Sequence, residues 1–597
     1  MSAKSVVEDV FTKSVAEKLW TANTQVYPAT LQGFSVGSLL PAVFYMFRRG
    51  LRRGAGSFQA TFGLPAAEAH PAARARIEWV ARKLSSQGDR FEGFDTELTH
   101  DILGDLLLCD SLENKKRVEG HEAEIMRAFP VHFFSSWLDL PTSVGHLRLV
   151  PEMLVALLAN QLDKDTLQTS TGAFGVASHR PQENLLLKIF GKGTNFGVNA
   201  NALAGAGVDA PDEATSFSIE EWLMIRLAQT CGQAPEQARR GKGATMPEIP
   251  NLWPLATAAA EIFREDLRNL LQHFGEAIPR RALTPMLEGF IGLGLWHTFF
   301  ASLLAVTQWE QSGNVPSSAE QLPYPFFVDA SNGTNSTLRD LSEASTYEAS
   351  RFIDDAVVAL AVVRVLDSAG RSSRRLKDLS PTGSNHAVWL NLLGQVRRGD
   401  HSASDSFIDA LHEKMNNLVD QLEQTDASPD ALAILQSEAA NSDPARAIAN
   451  ALCAMMGDKM LKTHYLKFID SAAMVTEPHG FVKKRSISRK LSSGKARRMD
   501  ARSVVLSNTL LETLVHVHLA ARKGRLSFSD FLALLRTRYG LWVDEAPPGI
   551  TAAREDLQRN RAVLERRLRD LGLLVGVNDA ESMKRLRARY RSTPISE

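Results

Sequence analysis

An aspartate at the end of an apolar run is where chemistry would first be sought in this chain. In Pro323–Thr337, PYPFFVDASNGTNST, the residues Phe326, Phe327 and Val328 read as a short strand. It delivers Asp329 into a turn-forming segment of Ser331, Asn332, Gly333, Thr334 and Asn335. A strand end holds a carboxylate rigidly at a loop mouth, which is where phosphotransferases and nucleases keep a nucleophile or a magnesium ligand. A two-aspartate phosphotransferase would want a second aspartate at position 331, where this chain has Ser331. An Asx-turn at Asp329 and Asn332 uses the same residues with no reaction at all, and is the favoured reading.

The other constellations carry less. Gly191-Lys192-Gly193-Thr194 resembles a phosphate-binding loop only superficially, because the glycine required five residues before the Gly-Lys pair is Leu186. His121-Glu122 lacks the second histidine of a zinc-protease helix. His516 and His518 are two apart on an expected helix and point to different faces, so they do not make a metal pair. His132, His146 and His297 lie among apolar residues and read as hydrogen-bonded core histidines. Cys109, Cys231 and Cys453 are too far apart for a zinc cluster or disulfide framework, which fits a reducing cytoplasm. No catalytic residue beyond Asp329, no metal site and no cofactor is implied, and the sequence identifies no reaction.

The elements that would position these residues are helices. Apolar residues recur at three- and four-residue spacing in 122–140, 150–162, 218–232, 258–275 and 354–367, while period-two alternation is scarce. A mainly α, multi-domain protein with only minor sheet is therefore expected. At 597 residues the chain exceeds one core. Stretches rich in Gly, Pro, Ser and charge at 237–251, 311–325, 367–385 and 483–502 separate an N-terminal helical domain at 1–236, a central helical domain at 250–480, a basic flexible linker at 481–502 and a small domain at 503–597. The start, MSAKSVVEDVFTKSVAEKLW, reads as an amphipathic helix and not a signal peptide. Residues 31–47 and Phe290–Trp309 are uncharged. The second is long enough to span a bilayer, but a helix buried in a helical domain gives the same pattern, and no membrane partner is expected. The run Arg48-Arg49-Gly50-Leu51-Arg52-Arg53 reads as a solvated helix end.

Charge is unevenly spread. The chain has 68 basic and 68 acidic side chains, yet residues 483–597 hold 25 Lys and Arg against 12 Asp and Glu, leaving 43 against 56 in the remainder. A concentrated positive field attracts polyanions, so double-stranded DNA is the first partner to consider for this region. The acidic remainder would meet protein partners in a multi-subunit complex.

The last hundred residues read as a helix over Ser503–Arg522, a short helix capped by Ser527 and closed by Gly540, and a third helix from about Thr551 to Leu571 with Leu557, Leu564, Leu568 and Leu571 as its buried stripe. A hairpin follows, turning at Asn578-Asp579, with Leu586, Ala588 and Tyr590 inward and Arg585, Arg587 and Arg589 outward. Three helices and a hairpin resemble a winged helix-turn-helix. That resemblance implies a third helix in the major groove, with Arg554, Arg559, Arg561, Arg566 and Arg567 as groove or backbone contacts. It makes Arg585, Arg587 and Arg589 wing contacts to phosphate. The linker cations Lys483, Lys484, Arg485, Arg489, Lys490, Arg497 and Arg498 would form a flexible arm along the phosphate backbone. Two other readings stay open. Winged helices also dock proteins, and i,i+4 pairs such as Glu555–Arg559 and Glu565–Arg569 decorate helices that bind nothing.

Taken with that terminal module, the segments SSWLDLPTSVGHLRLVPEMLVALLANQ and YPFFVDASNGTNSTLRDLSEAS are similar to large helical accessory proteins of bacterial multi-gene anti-phage defence systems, of the methylation-associated or phosphorothioate-dependent kind. The resemblance implies a non-catalytic DNA-engaging or scaffolding subunit. Two alternatives remain: a protein-docking scaffold without nucleic acid, and a metal-dependent phosphotransferase or nuclease centred on Asp329.

Overall fold

The computed structural model describes residues 252–379, 386–425, 428–490, 496–522, 526–576 and 584–592, with shorter pieces at 111–113, 125–128, 149–159 and 184–190 and scattered positions within 23–47 and 96–101. The amphipathic start, the run at 48–53, the phosphate-loop lookalike at 191–194, the helix expected at 218–232, His121, His132, His146, Cys109 and Cys231 lie outside the described residues, as does the turn at Asn578-Asp579. Backbone contacts divide the chain into two compact units. One comprises Met1–Gly33, Asn251–Leu270 and Pro285–Ser592, and the other Phe34–Pro250, Leu271–Thr284 and Thr593–Glu597.

In the second unit, β1 (Ser111–Glu113) pairs antiparallel with β2 (Ile125–Ala128) across a bulge. The apolar spacing from position 122 predicts a helix, so the strand at 125–128 is a correction: a short apolar run satisfies helical and strand periods alike, and the partner strand decides. Helix α1 (Val150–Leu158), with Pro151 at its start, buries eight of its nine residues, and α2 (Leu185–Phe190) follows.

The first unit is a helical body with a small sheet. Most of helices α3 (Thr257–Phe274) and α4 (Arg280–Ser312) belongs to it. Among the described residues α4 is the one helix long and apolar enough to cross a membrane, and 94% of its apolar window is buried inside the protein, as the buried-helix reading expects. Its Trp296 and Phe300 pack against Phe326, and Trp296 also meets Phe481, with ring centres 5.0–5.5 Å apart. After β3 (Phe326–Phe327) comes α5 (Ser336–Ser372), whose N-terminus Asn335 caps by accepting the Leu338 amide at 3.1 Å. At 37 residues α5 is about 55 Å long, running on into the stretch expected as a linker from 367. Helices α6 (His386–Arg398), α7 (Ser404–Thr425), α8 (Pro429–Leu435), α9 (Glu438–Ser442), α10 (Pro444–Met456) and α11 (Asp458–Ala472) complete the body.

The segment expected as a flexible arm is instead a two-stranded antiparallel ribbon of β4 (Val482–Lys490) and β5 (Ala496–Val504), paired through nine registers from Val482↔Val504 to Lys490↔Ala496. Ser503 and Val504 therefore belong to a strand. The helix expected from Ser503 starts later, as α12 (Asn508–Ala521), capped by the Ser507 hydroxyl, which accepts the Leu510 amide. Then follow α13 (Phe528–Tyr539), capped by Ser527 and closed by Gly540 as expected, β6 (Leu541–Trp542), α14 (Arg554–Asp570), β7 (Leu574–Val575) and β8 (Arg585–Leu586). Strands β7 and β8 pair antiparallel, and Ser527 bridges to Arg585. The architecture is mainly helical with few strands, matching the expected class.

Candidate nucleic-acid interface

The apolar run before Asp329 is the middle of a small parallel sheet. Phe326 and Phe327 pair with Leu541 and Trp542, and Val328 bridges to Val504 at the end of β5. The first signal in the chain thus lies where the central helices, the ribbon and the C-terminal helices meet. Asp329 itself is buried. One carboxylate oxygen accepts the Ser331 amide at 2.8 Å and its hydroxyl at 2.5 Å, and the other accepts the Gly333 amide at 2.8 Å. The loop turns through Asn332 and Gly333 with φ of 57° and 85°, left-handed values suited to Asn and Gly. With both oxygens serving loop amides and the Ser331 hydroxyl, Asp329 acts as the Asx-type loop former. Among the described residues no group of three or more His, Cys, Asp or Glu could hold a metal ion.

Asn560 was invisible to sequence reasoning. It occupies the buried stripe of α14 beside Leu564 and Leu568. Its side-chain oxygen accepts the Ala330 amide at 2.9 Å, and its nitrogen donates to the carbonyls of Val328 at 2.7 Å and Val543 at 2.8 Å. A buried amide satisfied three times over joins α14 to β3 and to the residue after β6. Arg567, expected to face a groove, works on the same inner side: it donates to Ala330 O at 2.9 Å, Leu506 O at 2.5 Å and Asn508 Oδ1 at 2.7 Å. Burial lowers its pKa, and the nearby Asp329 charge works the other way. It is a structural cation here.

The remaining cations sort by what they touch. On α14, Arg559 is exposed and pairs with Asp556 at 3.2 Å, and Arg561 donates to Ser529 at 3.2 Å and lies 5.5 Å over the Phe528 ring. Arg554 and Arg566 are exposed and make no ion pair among the described residues. In the terminal hairpin Leu586 is buried while Arg585, Arg587 and Arg589 are exposed, the alternation expected. Arg587 donates to Gly572 O at 2.8 Å, and Arg589 lies 3.3 Å from Glu512, whose carboxyl burial pushes up against that pairing. Arg585 has no ion-pair partner among the described residues.

At its base the ribbon is held on both faces. Lys483 donates to Asn332 O at 2.7 Å. Arg485 forks onto Glu343 of α5 at 2.5 and 2.6 Å, and these bonds hold its pKa above the ordinary value. Arg502 forks onto Asp470 of α11 at 2.5 and 2.8 Å. Lys484 lies 3.2 Å from Asp470 and 2.9 Å from Asp500; partial burial opposes its charge, but the two carboxylates prevail and raise its pKa. Lys483, Lys484 and Arg485 are therefore engaged by the protein. Arg489, Lys490, Arg497 and Arg498 fall in the outer registers, and their side chains lie outside the described residues.

A family model described as methylation-associated defense system protein MAD7 matches residues 29–590. No curated protein and no solved structure matches the chain. A match over nearly the whole length agrees with the resemblance to defence-system accessory proteins that the sequence itself carries, and the chain belongs to the MAD7 family of methylation-associated defense system proteins.

Proposed function

We propose that this protein is a non-catalytic subunit of its methylation-associated defence system that engages double-stranded DNA through its basic C-terminal region, with the acidic body docking protein partners in the cytoplasm. The observation that carries the reading is a group of exposed cations that make no ion pair among the described residues: Arg554 and Arg566 on α14, and Arg585 and Arg587 in the terminal hairpin. They stand on elements in the order α12, bridge at Ser527, α13, β6, α14, hairpin β7–β8, which apart from the inserted β6 is the order of a winged helix, in which the third helix enters the groove. Against the enzyme alternative stands Asp329, whose oxygens are already taken by its own loop.

The test is fluorescence anisotropy of the full chain with duplex DNA across a salt series. About six phosphate contacts would weaken binding by roughly three orders of magnitude between about 50 and 200 mM salt. Flat, weak binding at low salt would sink the proposal. The protein-docking alternative draws on the paired charges Arg559–Asp556 and Arg569–Glu565, which make much of α14 electrically quiet. It predicts a partner that stays bound after nuclease treatment.

A further inference from the structure

We infer that the outer half of the β4–β5 ribbon is a DNA-binding arm that enters the major groove, with Arg489, Lys490, Arg497 and Arg498 as its contacts. The inference rests on the proposed DNA-engaging function and names the element that performs it, which is a different one from α14.

Three observations combine. The ribbon is long and two-stranded: nine registers at about 3.4 Å each make about 30 Å, and a two-stranded β-ribbon fits the major groove of B-form DNA. Its direction is fixed by the body, because Arg485 on one face is forked onto Glu343 and Arg502 on the other onto Asp470, so the base is clamped by α5 and α11. A clamped base holds the outer registers in place, which lowers the ordering cost that a free arm would meet on binding.

The third observation is the charge order along the ribbon. Every acidic partner lies at the base, Asp500 being the last, and the stretch from Ile487 to Met499 contains no Asp or Glu. Within it the register sets Arg489 directly opposite Arg497 and Arg498 opposite Ser488, with Lys490 next in line. Like charges directly opposite destabilise a strand pair, and a narrow ribbon has no core to offset that cost. By the pleat, positions 489 and 497 share one face and 490 and 498 the other, so basic positions occur on both faces of the ribbon. Such an arrangement is relieved by a polyanion that surrounds it, as the two phosphate walls of a groove do. Charges on exposed strands also discourage edge-to-edge association, and the test separates that role.

The experiment compares the full chain with a variant carrying Arg489→Gln, Lys490→Gln, Arg497→Gln and Arg498→Gln, and with a second carrying Arg554→Gln, Arg566→Gln and Arg585→Gln, on one duplex as DNA and as RNA. The ribbon variant should lose about 3 to 4 units of salt slope and on the order of a hundredfold or more in affinity near 0.1 M salt. Its urea midpoint should stay level or rise slightly, since repulsion is removed. DNA should be favoured over RNA, whose deep, narrow major groove excludes a ribbon. DNA should also slow hydrogen exchange at residues 487–490 and 496–499. If the chain binds DNA and the ribbon variant binds with the same slope and affinity, the inference fails while the proposed function stands, and the second variant then reports whether α14 carries it. A ribbon variant that self-associates but keeps its affinity for DNA overturns the inference in the same way. If the unaltered chain does not bind DNA, both fall.

Discussion

Replacing Asn560 by alanine removes three hydrogen bonds at once and strands the Ala330 amide and the carbonyls of Val328 and Val543 in a place where the side chain admitted no water. Each hydrogen bond contributes about 1 kcal/mol net, and a buried group left unpaired costs about 1–3 kcal/mol, so a loss of about 3–5 kcal/mol is expected. Asn560→Asp sharpens the test. One oxygen still accepts from Ala330, but the other now faces two carbonyl oxygens and brings a buried charge. That carboxyl would have its folded pKa raised above the unfolded value of about 3.9, so the penalty is full above the folded pKa and relieved as pH falls toward the unfolded one. The assay is urea denaturation followed by tryptophan fluorescence, with hydrogen exchange at 326–330 and 541–543 as the local readout. A loss under about 1 kcal/mol in Asn560→Ala, or an Asn560→Asp protein indifferent to pH, would refute the role assigned to this side chain.

Three further outcomes are expected. Gly540 has φ +69° and a Cβ there would stand 2.0 Å from Tyr324 O, so Gly540→Ala should cost at least about 2 kcal/mol and loosen the β3–β6 pairing; an unchanged urea midpoint would contradict the packing. Asp329→Asn should keep the Ser331 bonds, lose the one from Gly333 at a cost of about 1–2 kcal/mol and leave DNA affinity unchanged, whereas a nuclease activity abolished by it would overturn the loop-forming role. Burial drives His518 down to about 3 and His297 down to about 4, with Arg538 adding to both. Their folded pKa values lie below the unfolded 6.5, so the unfolded chain binds more protons and stability falls as pH drops from about 6.5. The slope is up to about 1.4 kcal/mol per pH unit for each histidine. Asp266, raised by burial, works in the opposite sense as pH falls. His518→Phe, beside Phe531 and Tyr539, should flatten the slope of stability between pH 6.5 and 4, and an unaltered slope would refute the assignment.

What was readable in the sequence was whatever depends on near neighbours. The stripe Leu564 and Leu568, the Ser527 cap, the Gly540 stop and the Asx geometry of Asp329 are all set within a few residues. The ribbon escaped because strand alternation is ordinarily read from apolar residues on one face, whereas Lys484 and Arg485 on opposite faces both meet carboxylates. Serines and a Gly in a charged stretch then looked like a linker. Asn560 escaped because a polar residue in an apolar stripe makes sense only beside the carbonyl of Val328, 232 residues away. The division of arginines into structural and exposed was equally hidden: nothing local separates Arg566 from Arg567, yet one is exposed and the other donates to three partners.

The small parallel sheet has a consequence for how the chain is made. Strand β3 finds its partners at Val504 and Leu541, and the loop after it finds Asn560, 230 residues beyond Ala330. At about 5–20 residues per second, a ribosome completes Phe326-Phe327-Val328 roughly 10–45 s before those partners emerge. Through that interval three large apolar residues wait without the strands that will cover their backbone edges, a period in which a holding chaperone has something to hold. Chains cut before residue 504 would stay in that condition, and chains cut between 504 and 541 would still lack β6. A segment starting near residue 480 lacks the strand from the other side, so soluble material is to be sought by producing both pieces together.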